Sequence, residues 1–500
     1  MATVSDPVRR HAASTPDRPA VRSDRVAWSY RQLFELSSRY AGALRAAGSR
    51  PGDRILLAAP SVPEFVVAYL GIQIAGGIVV PVNTMSTRAE VEYYLIDAGC
   101  SLALAWDDLG PAVAEAAAAT GVPYRELTAG AEADADPMPA VERDPADTAA
   151  ILYTSGTTGR PKGAQLTVGN LLAGGEIGVS AARSTAADRV GTALPLFHVF
   201  GQSAVMMSCF TAGGSLSLLR RFEPAAMLTM LRRDRLTVLA GVPTMWNAML
   251  HAAADADPAD FADLRAAISG GAALPGEVAR AFETKFGCTI LEGYGLTETT
   301  AFGTFNDLGR GPKIGYTGHA VDRMRVQIRD VDGNLCAAGE VGEIFIAGPT
   351  IMKGYWNRPE ATAEVLFPDG WFRTGDLGEF DADGDLRIVD RLKDLIIRGG
   401  YNVYPGEVEE VLYEHPDVVE AAVVGVPDDQ YGEEVAAVIV TVPGAALDAA
   451  EVSRWTRERL SAYKVPRIVQ FADALPKGAT GKILKRAIDR EALRRETVGR

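Results

Sequence analysis

Residues 153–163 read YTSGTTGRPKG: four Ser or Thr, three glycines, an arginine, a proline and a lysine in eleven positions. Such a composition suits a solvated linker, or a loop whose backbone N–H groups and hydroxyls wrap a polyphosphate. The apolar run AAILY before it reads as a strand and the stretch after it as a helix, a setting in which N–H groups gather around anions. Gly159 and Lys162 are separated by Arg-Pro, and no Ser or Thr follows the lysine. The nucleotide-triphosphatase P-loop pattern is therefore not met, which disfavours an ordinary kinase or GTPase.

Outward from this loop, short apolar runs alternate with helical patterns. AWSYRQLFELSSRYAGALRAAGSR (27–50) carries an apolar helical stripe, RILLAAP (54–60) reads as a buried strand, and SVPEFVVAYLGIQIAGG (61–77) as a buried helix. IVVPVN, LALAW and AAILYTS continue the scheme, as do RVGTALPLF, GGSLSLL, LTVLAGVP, LRAAISGG and CTILEGYG. That is the pattern of an α/β protein with parallel, helix-covered sheets, whose ligand sites lie beyond the carboxyl ends of the strands. The acidic, Ala- and Pro-rich segment 126–147 is expected to be an exposed connection. After residue 320 the texture changes to short strands and the hairpin signals DVDGN and DADGD, so this region should be mainly antiparallel. A compact unit with a basic amphipathic end follows, which places a domain boundary between Asp390 and Lys393: 1–391 and 392–500.

The 500 residues are too many for one ordinary core. A net charge of −14 disfavours nucleic acid and anionic membranes as partners. Cys100, Cys209, Cys288 and Cys336 lie far apart, as do His11, His198, His251, His319 and His415, so the sequence contains no zinc-ligand spacing. The cysteines are expected to be buried free thiols of a cytoplasmic protein. No apolar signal core opens the sequence, and the run at 65–83 is broken by Gly-Gly and Pro, so no membrane span is expected.

Five further segments follow the glycine-rich loop in order: LPLFHVFG (194–201), SGGAAL (269–274), EGYGLTET (292–299), GWFRTGDLG (370–378) with DRLKDLIIRGGYNVYP (390–405), and LPKGATGKI (475–483). With these six motifs the chain resembles, over nearly its full length, the adenylate-forming superfamily of acyl- and aryl-CoA synthetases, firefly luciferase and peptide-synthetase adenylation domains. Taken singly, Asp376 reads rather as a turn residue and Tyr294 as a core aromatic, while Lys482 fits a solvated terminal helix and Glu298 a helix-cap partner.

The resemblance implies a large N-terminal domain of two helix-covered β-sheet subdomains plus a distorted β-barrel, and a small mobile C-terminal α+β domain. It implies a carboxylate brought onto the α-phosphorus of ATP, releasing pyrophosphate and leaving an acyl-adenylate, a meeting of two anions that needs preplaced cations and donors. Thr154, Ser155, Gly156, Thr157, Thr158, Gly159 and Lys162 match the phosphate loop. Glu298 matches the Mg²⁺ ligand and Thr297 the α-phosphate contact. Gly270, Gly271 and Ala272 match the adenine wall, Tyr294 and Gly295 the adenosine platform, and Asp376 with Arg391 the ribose contact. Lys482 matches the lysine that reaches carboxylate and bridging oxygen.

In the family's CoA ligases the small domain then rotates, so that coenzyme A can attack. By resemblance Lys393 is the hinge, Gly399 and Gly400 face pantetheine, and His198 gates the thiol tunnel. Phe200, Met206, Met207 and Trp246 argue for an aliphatic acid pocket. No Asp stands at the position of His198, which disfavours amino acids, and no arginine occurs in VFGQSAVMMS, which disfavours dicarboxylates. The expected reaction is activation of a medium- or long-chain fatty acid and its transfer to CoA, by a monomer or homodimer. The alternative acceptor is the phosphopantetheine of an acyl carrier protein. No extra segment occurs between Thr304 and Gly318, where fatty acyl-AMP ligases carry a restraining insertion. The sequence departs from the family pattern at Val168, often a His, and at Lys485, often an Arg.

Overall fold

A computed structural model describes residues 2–128, 130, 135–154, 160–253, 256–478 and 481–498. Two large sheets form the body. In one, the strands run in the spatial order Gly354–Tyr355, Lys162–Thr167, Thr148–Thr154, Ile78–Pro81, Arg54–Ala58, Leu102–Trp106, Tyr124–Leu127. The five from Thr148–Thr154 onward are parallel to one another. The other has nine strands, with a parallel centre running from Ile290–Tyr294 through Ala266–Ser269, Val238–Gly241, Arg189–Thr192 and Ser215–Leu218 to Pro19–Arg22.

The continuous apolar runs fit these positions, because a parallel strand is covered on both faces. Between the sheets lies the helix Pro63–Ile74, buried at all its positions. Each large apolar side chain there, Phe65, Leu70 or Ile72, contributes about 1.5–3 kcal/mol by leaving water. Its neighbour, Tyr30–Ala46, starts at a reciprocal capping box between Ser29 and Gln32. Segment 126–147 is exposed or half-buried at its described positions apart from Leu127, as expected of a surface connection, yet it is pinned to the body. Its described part crosses the helix Tyr30–Ala46 so closely that a Cβ on Gly42 would meet the Asp136 carbonyl oxygen, and Met138 N–H donates to Ser38 O at 3.1 Å.

An antiparallel sheet of Arg325–Arg329, Gly342–Ala347, Phe372–Phe380 and Leu386–Arg391 stands in the region expected to be antiparallel. DADGD forms the turn joining its last two strands, with Asp381 N–H donating to Asp385 O. The C-terminal α+β unit has a five-stranded sheet of Ile396–Arg398, Tyr401–Val403, Val418–Asp428, Gly432–Thr441 and Ile468–Phe471, covered by helices that include Pro405–Tyr413 and Ala449–Arg457. Its apolar clusters are built from its own residues, among them Val408, Val423, Val435, Ile439 and Val452. Cys100, Cys209 and Cys288 are buried free thiols, whereas Cys336 is only half-buried. Among the described residues no helix is long and apolar enough to cross a membrane.

Candidate active site

The glycine-rich stretch joins two antiparallel strands, Thr148–Thr154 and Lys162–Thr167, in a hairpin closed by the Thr154–Lys162 pair. The helix expected directly after it is displaced. KGAQLT continues as a strand, and the helix Val168–Ala181 begins only at the Thr167–Asn170 capping box. Val168 is buried in the main core at the start of that helix. Ser155, Gly156, Thr157, Thr158 and Gly159 lie outside the described residues. Both flanks of the loop are anchored. Tyr153 donates to Asp97 Oδ2 at 2.8 Å, Tyr93 donates to Pro161 O at 2.8 Å, and Arg160 lies over the Tyr93 ring. Asp97 also accepts from Arg358 at 2.7 Å, and its carbonyl accepts from the Trp356 indole at 3.1 Å.

Beside the hairpin stands Glu298, buried on the single turn Thr297–Thr299. Its Oε1 accepts from the Tyr355 hydroxyl at 2.8 Å and from Thr154 Oγ1 at 3.5 Å, and Lys162 Nζ lies 5.2 Å from the Tyr355 ring centroid. Burial pushes the Glu298 carboxyl above its ordinary range, and the hydrogen bonds oppose this. The turn carries two successive non-glycine residues with positive φ, Thr300 at 53° and Ala301 at 76°. Backbone of this kind persists only where its surroundings enforce it. A Cβ on Gly295 would come within 2.3 Å of the Ala301 carbonyl, so the turn folds back onto a position that admits only glycine.

Tyr294 ends its strand and donates to Asp376 Oδ2 at 2.6 Å. Asp376 and Arg391 are cross-strand partners, with Arg391 Nε 3.5 Å from Asp376 Oδ1. Burial raises the Asp376 carboxyl, against the pull of Arg391, the Tyr294 bond, Lys482 and Lys393. Gly270 lies at the end of its strand next to Phe200, whose ring a Cβ there would meet at 3.3 Å, and Gly271 and Ala272 are exposed after it.

Lys482 comes from the C-terminal unit. It sits on a small hairpin in which Gly478 N–H donates to Lys482 O at 2.9 Å. Its side chain keeps some exposure yet is crowded by protein. Burial, then Arg391, lowers its ammonium to about 8, opposed by Asp376 and Asp394. His198, similarly half-exposed and crowded, is lowered to about 4 by burial and by Lys482. Its Nδ1 accepts from Phe200 N–H at 3.2 Å, so the neutral ring carries its proton on Nε2.

The fold thus brings Thr154, Lys162, Thr297, Glu298, Tyr294, Gly295, Asp376, Arg391, Lys482 and His198 into one neighbourhood. Lys393 stands exposed in the turn after Arg391, where Asp394 N–H donates to Arg391 O. Gly399 and Gly400 form the exposed tip of the Ile396–Val403 hairpin, with φ of 57° and 83°, and Gly399 contacts Tyr431 of its own unit. Of the residues assigned to the acid pocket, Phe200 is half-buried. Met206, Met207 and Trp246 are sealed in the main core, and the Trp246 indole donates to Ser269 Oγ at 3.0 Å. Lys485 is a structural residue, paired with half-buried Glu409 at 2.7 Å. Tyr355 and Asp97 are site residues without a local sequence signal. Tyr355 arrives through a two-residue strand paired with Ala164 and Gln165.

The AMP-binding enzyme family matches residues 8–356, and the AMP-binding enzyme C-terminal domain matches residues 407–482. The chain is 40% identical to a feruloyl-CoA synthase of an Amycolatopsis species, over 97% of this chain and 98% of that protein. It is 36% identical to a long-chain-fatty-acid–CoA ligase of Bacillus subtilis, over 95% and 92%. The ATP-bound crystal structure of MatB from Rhodopseudomonas palustris superposes with a TM-score of 0.89 at 34% identity over 99% of each chain, and its apo form with 0.80 over 98% and 99%. This chain therefore belongs to the AMP-binding enzyme family, the adenylate-forming superfamily that its six ordered motifs resemble.

Proposed function

We propose that the chain is an AMP-forming acid–thiol ligase that activates a hydrophobic monocarboxylic acid with ATP and passes the acyl group to coenzyme A. The observation that carries this reading is the delivery of Lys482, from a separate α+β unit, to the Asp376–Arg391 pair and His198. A cation introduced there offsets the repulsion between a carboxylate and a triphosphate, and its flexible point charge can follow charge from the incoming oxygen to the departing one.

In this reading Asp376, held by Tyr294 and Arg391, accepts the ribose hydroxyls; its remaining lone pairs suit that task. Gly270, Gly271 and Ala272 flank adenine beside Tyr294 and Gly295. Lys162, Thr154 and Thr297 contact phosphates, together with residues 155–159. A hard divalent cation suits the carboxylate of Glu298 beside the Thr154 hydroxyl. Bound Mg²⁺ would neutralise phosphate charge, and Glu298, destabilised as an anion by burial, gains a counter-charge. Neutral His198 closes the acid pocket without adding a second cation beside Lys482. Unit 392–500 then turns about Lys393, withdraws Lys482 and presents Gly399 and Gly400 to pantetheine. The greater likeness to the ATP-bound than to the apo MatB structure supports taking the present arrangement as the adenylating one.

Two acid classes fit an apolar lining. A medium- or long-chain fatty acid is supported by the Met-rich segment after His198 and by the likeness to the Bacillus ligase. A hydroxycinnamate-type acid is supported by the 40% identity to feruloyl-CoA synthase and by the packing of Met206, Met207 and Trp246. These three would have to move to admit a long chain, while Phe200 beside Gly270 already offers a flat edge. Acid-dependent ATP–pyrophosphate exchange, run over C2 to C18 fatty acids and over cinnamates, is expected to select one class. Offering CoA or a holo-carrier protein then identifies the acceptor: thioester on CoA supports the proposal, and loading of the carrier alone overturns the acceptor assignment.

A further inference from the structure

In the Lys482 hairpin, Gly481 touches the N-terminal body. Thr244 Oγ1 donates to Gly481 O at 3.2 Å, the carbonyl immediately before Lys482. Gly481 has φ of 78°, and a Cβ there would sit 3.0 Å from Thr244 Oγ1 and 3.4 Å from Val242 Cγ2. Only glycine allows so close a seat. Thr244 follows Pro243 in the first turn of the helix Pro243–Ala252, whose N-cap, Val242, has no capping side chain. The Thr244 hydroxyl, two residues past the N-cap, reaches across to the other unit. Within the hairpin, Gly481 N–H donates to Gly478 O and Gly478 N–H to Lys482 O, so holding Gly481 holds the lysine backbone.

The geometry points to Thr244 as a positioning residue for Lys482, one that fixes the C-terminal hairpin for adenylation and is released for thioester formation. This inference rests on the adenylation reading above. The bond exists only while Lys482 is docked, so its loss should weaken the first half-reaction and spare the second. A single neutral hydrogen bond of this kind corresponds to about a 2- to 12-fold effect.

The test compares Thr244→Val, which keeps the shape and removes the donor, with Thr244→Ser, which keeps the donor. Acid-dependent ATP–pyrophosphate exchange and thioester formation from supplied acyl-adenylate and CoA are measured separately, with a thermal melt of each variant. The expected result is a severalfold drop in exchange for Thr244→Val, near wild-type exchange for Thr244→Ser, and undiminished thioester formation in both. Equal losses in both half-reactions, an unaffected valine variant, or a serine variant as impaired as the valine variant would each overturn the assignment. Wild-type protein without exchange on any acid would instead remove the adenylation reading itself, so the two failures are distinguishable. Should the valine variant melt early, Gly481→Ala at the opposite side of the contact serves in its place, with the same split expected.

Discussion

At the scale of single residues, the proposed reaction puts most of its chemistry on Lys482, and the protonation state of that residue is its weak point. Burial and the Arg391 guanidinium bring its ammonium down to about 8. The cationic form is the working one, so acid-dependent exchange, measured as kcat/KM, should fall as pH rises through about 8. In Lys482→Arg the guanidinium stays charged, and the weaker activity of that variant should be flat over the same range. A profile falling identically in both proteins would assign the titration elsewhere. Lys482→Ala should lose about 100- to 1,000-fold of exchange, the usual effect of deleting one preorganised charge contact, while still forming thioester from supplied acyl-adenylate. His198 behaves differently. With its pKa lowered to about 4 it stays neutral throughout this range and adds no titration of its own.

At the scale of elements, the strained turn after Tyr294 and the two-residue strand Gly354–Tyr355 converge on Glu298. The Tyr355 hydroxyl donates to it at 2.8 Å. Tyr355→Phe removes one hydrogen bond to a buried carboxylate, worth about 1.5–3 kcal/mol. The magnesium concentration for half-maximal exchange should therefore rise by about tenfold or more, as a metal titration would reveal; an unchanged requirement would detach Tyr355 from the metal carboxylate. These elements also mark where sequence reading stops. AAILYTS, RVGTALPLF or LTVLAGVP are legible as strands because buried parallel strands need unbroken apolar runs. The cross-strand pairing of Asp376 with Arg391 does not follow from the DADGD turn alone: a bulge between Leu377 and Gly378 shifts the register by one residue, bringing Arg391 rather than Asp390 opposite Asp376. The strand after the glycine-rich loop reads as helix in the sequence, because KGAQLT is only mildly patterned and its strand state is imposed by pairing with Thr148–Thr154. Tyr355, Asp97 and Thr244 have no sequence signal because each acts across a contact made only by the tertiary fold. Met206, Met207 and Trp246 have the right chemistry for an acid pocket, yet hydrophobicity alone does not distinguish a lining from a packed core.

At the scale of the whole molecule, the site belongs to no single unit. In the proposed reaction the nucleotide contacts come from the two large sheets and the antiparallel sheet, and the Lys482 ammonium comes from a unit with its own apolar core. Such a unit can move without disturbing the body's packing, which is what two half-reactions at one site require. The central claim is that an acid oxygen attacks the α-phosphorus of ATP. The most direct measurement uses a carboxylic acid labelled with ¹⁸O in both oxygens, incubated with ATP, magnesium and CoA, followed by mass analysis of the nucleotide. Attack at the α-phosphorus, then thiol displacement at the carbonyl, leaves one labelled oxygen in AMP and one in the thioester. The expected products are AMP carrying a single ¹⁸O and unlabelled pyrophosphate. Unlabelled AMP, or ADP with the label in inorganic phosphate, would contradict it.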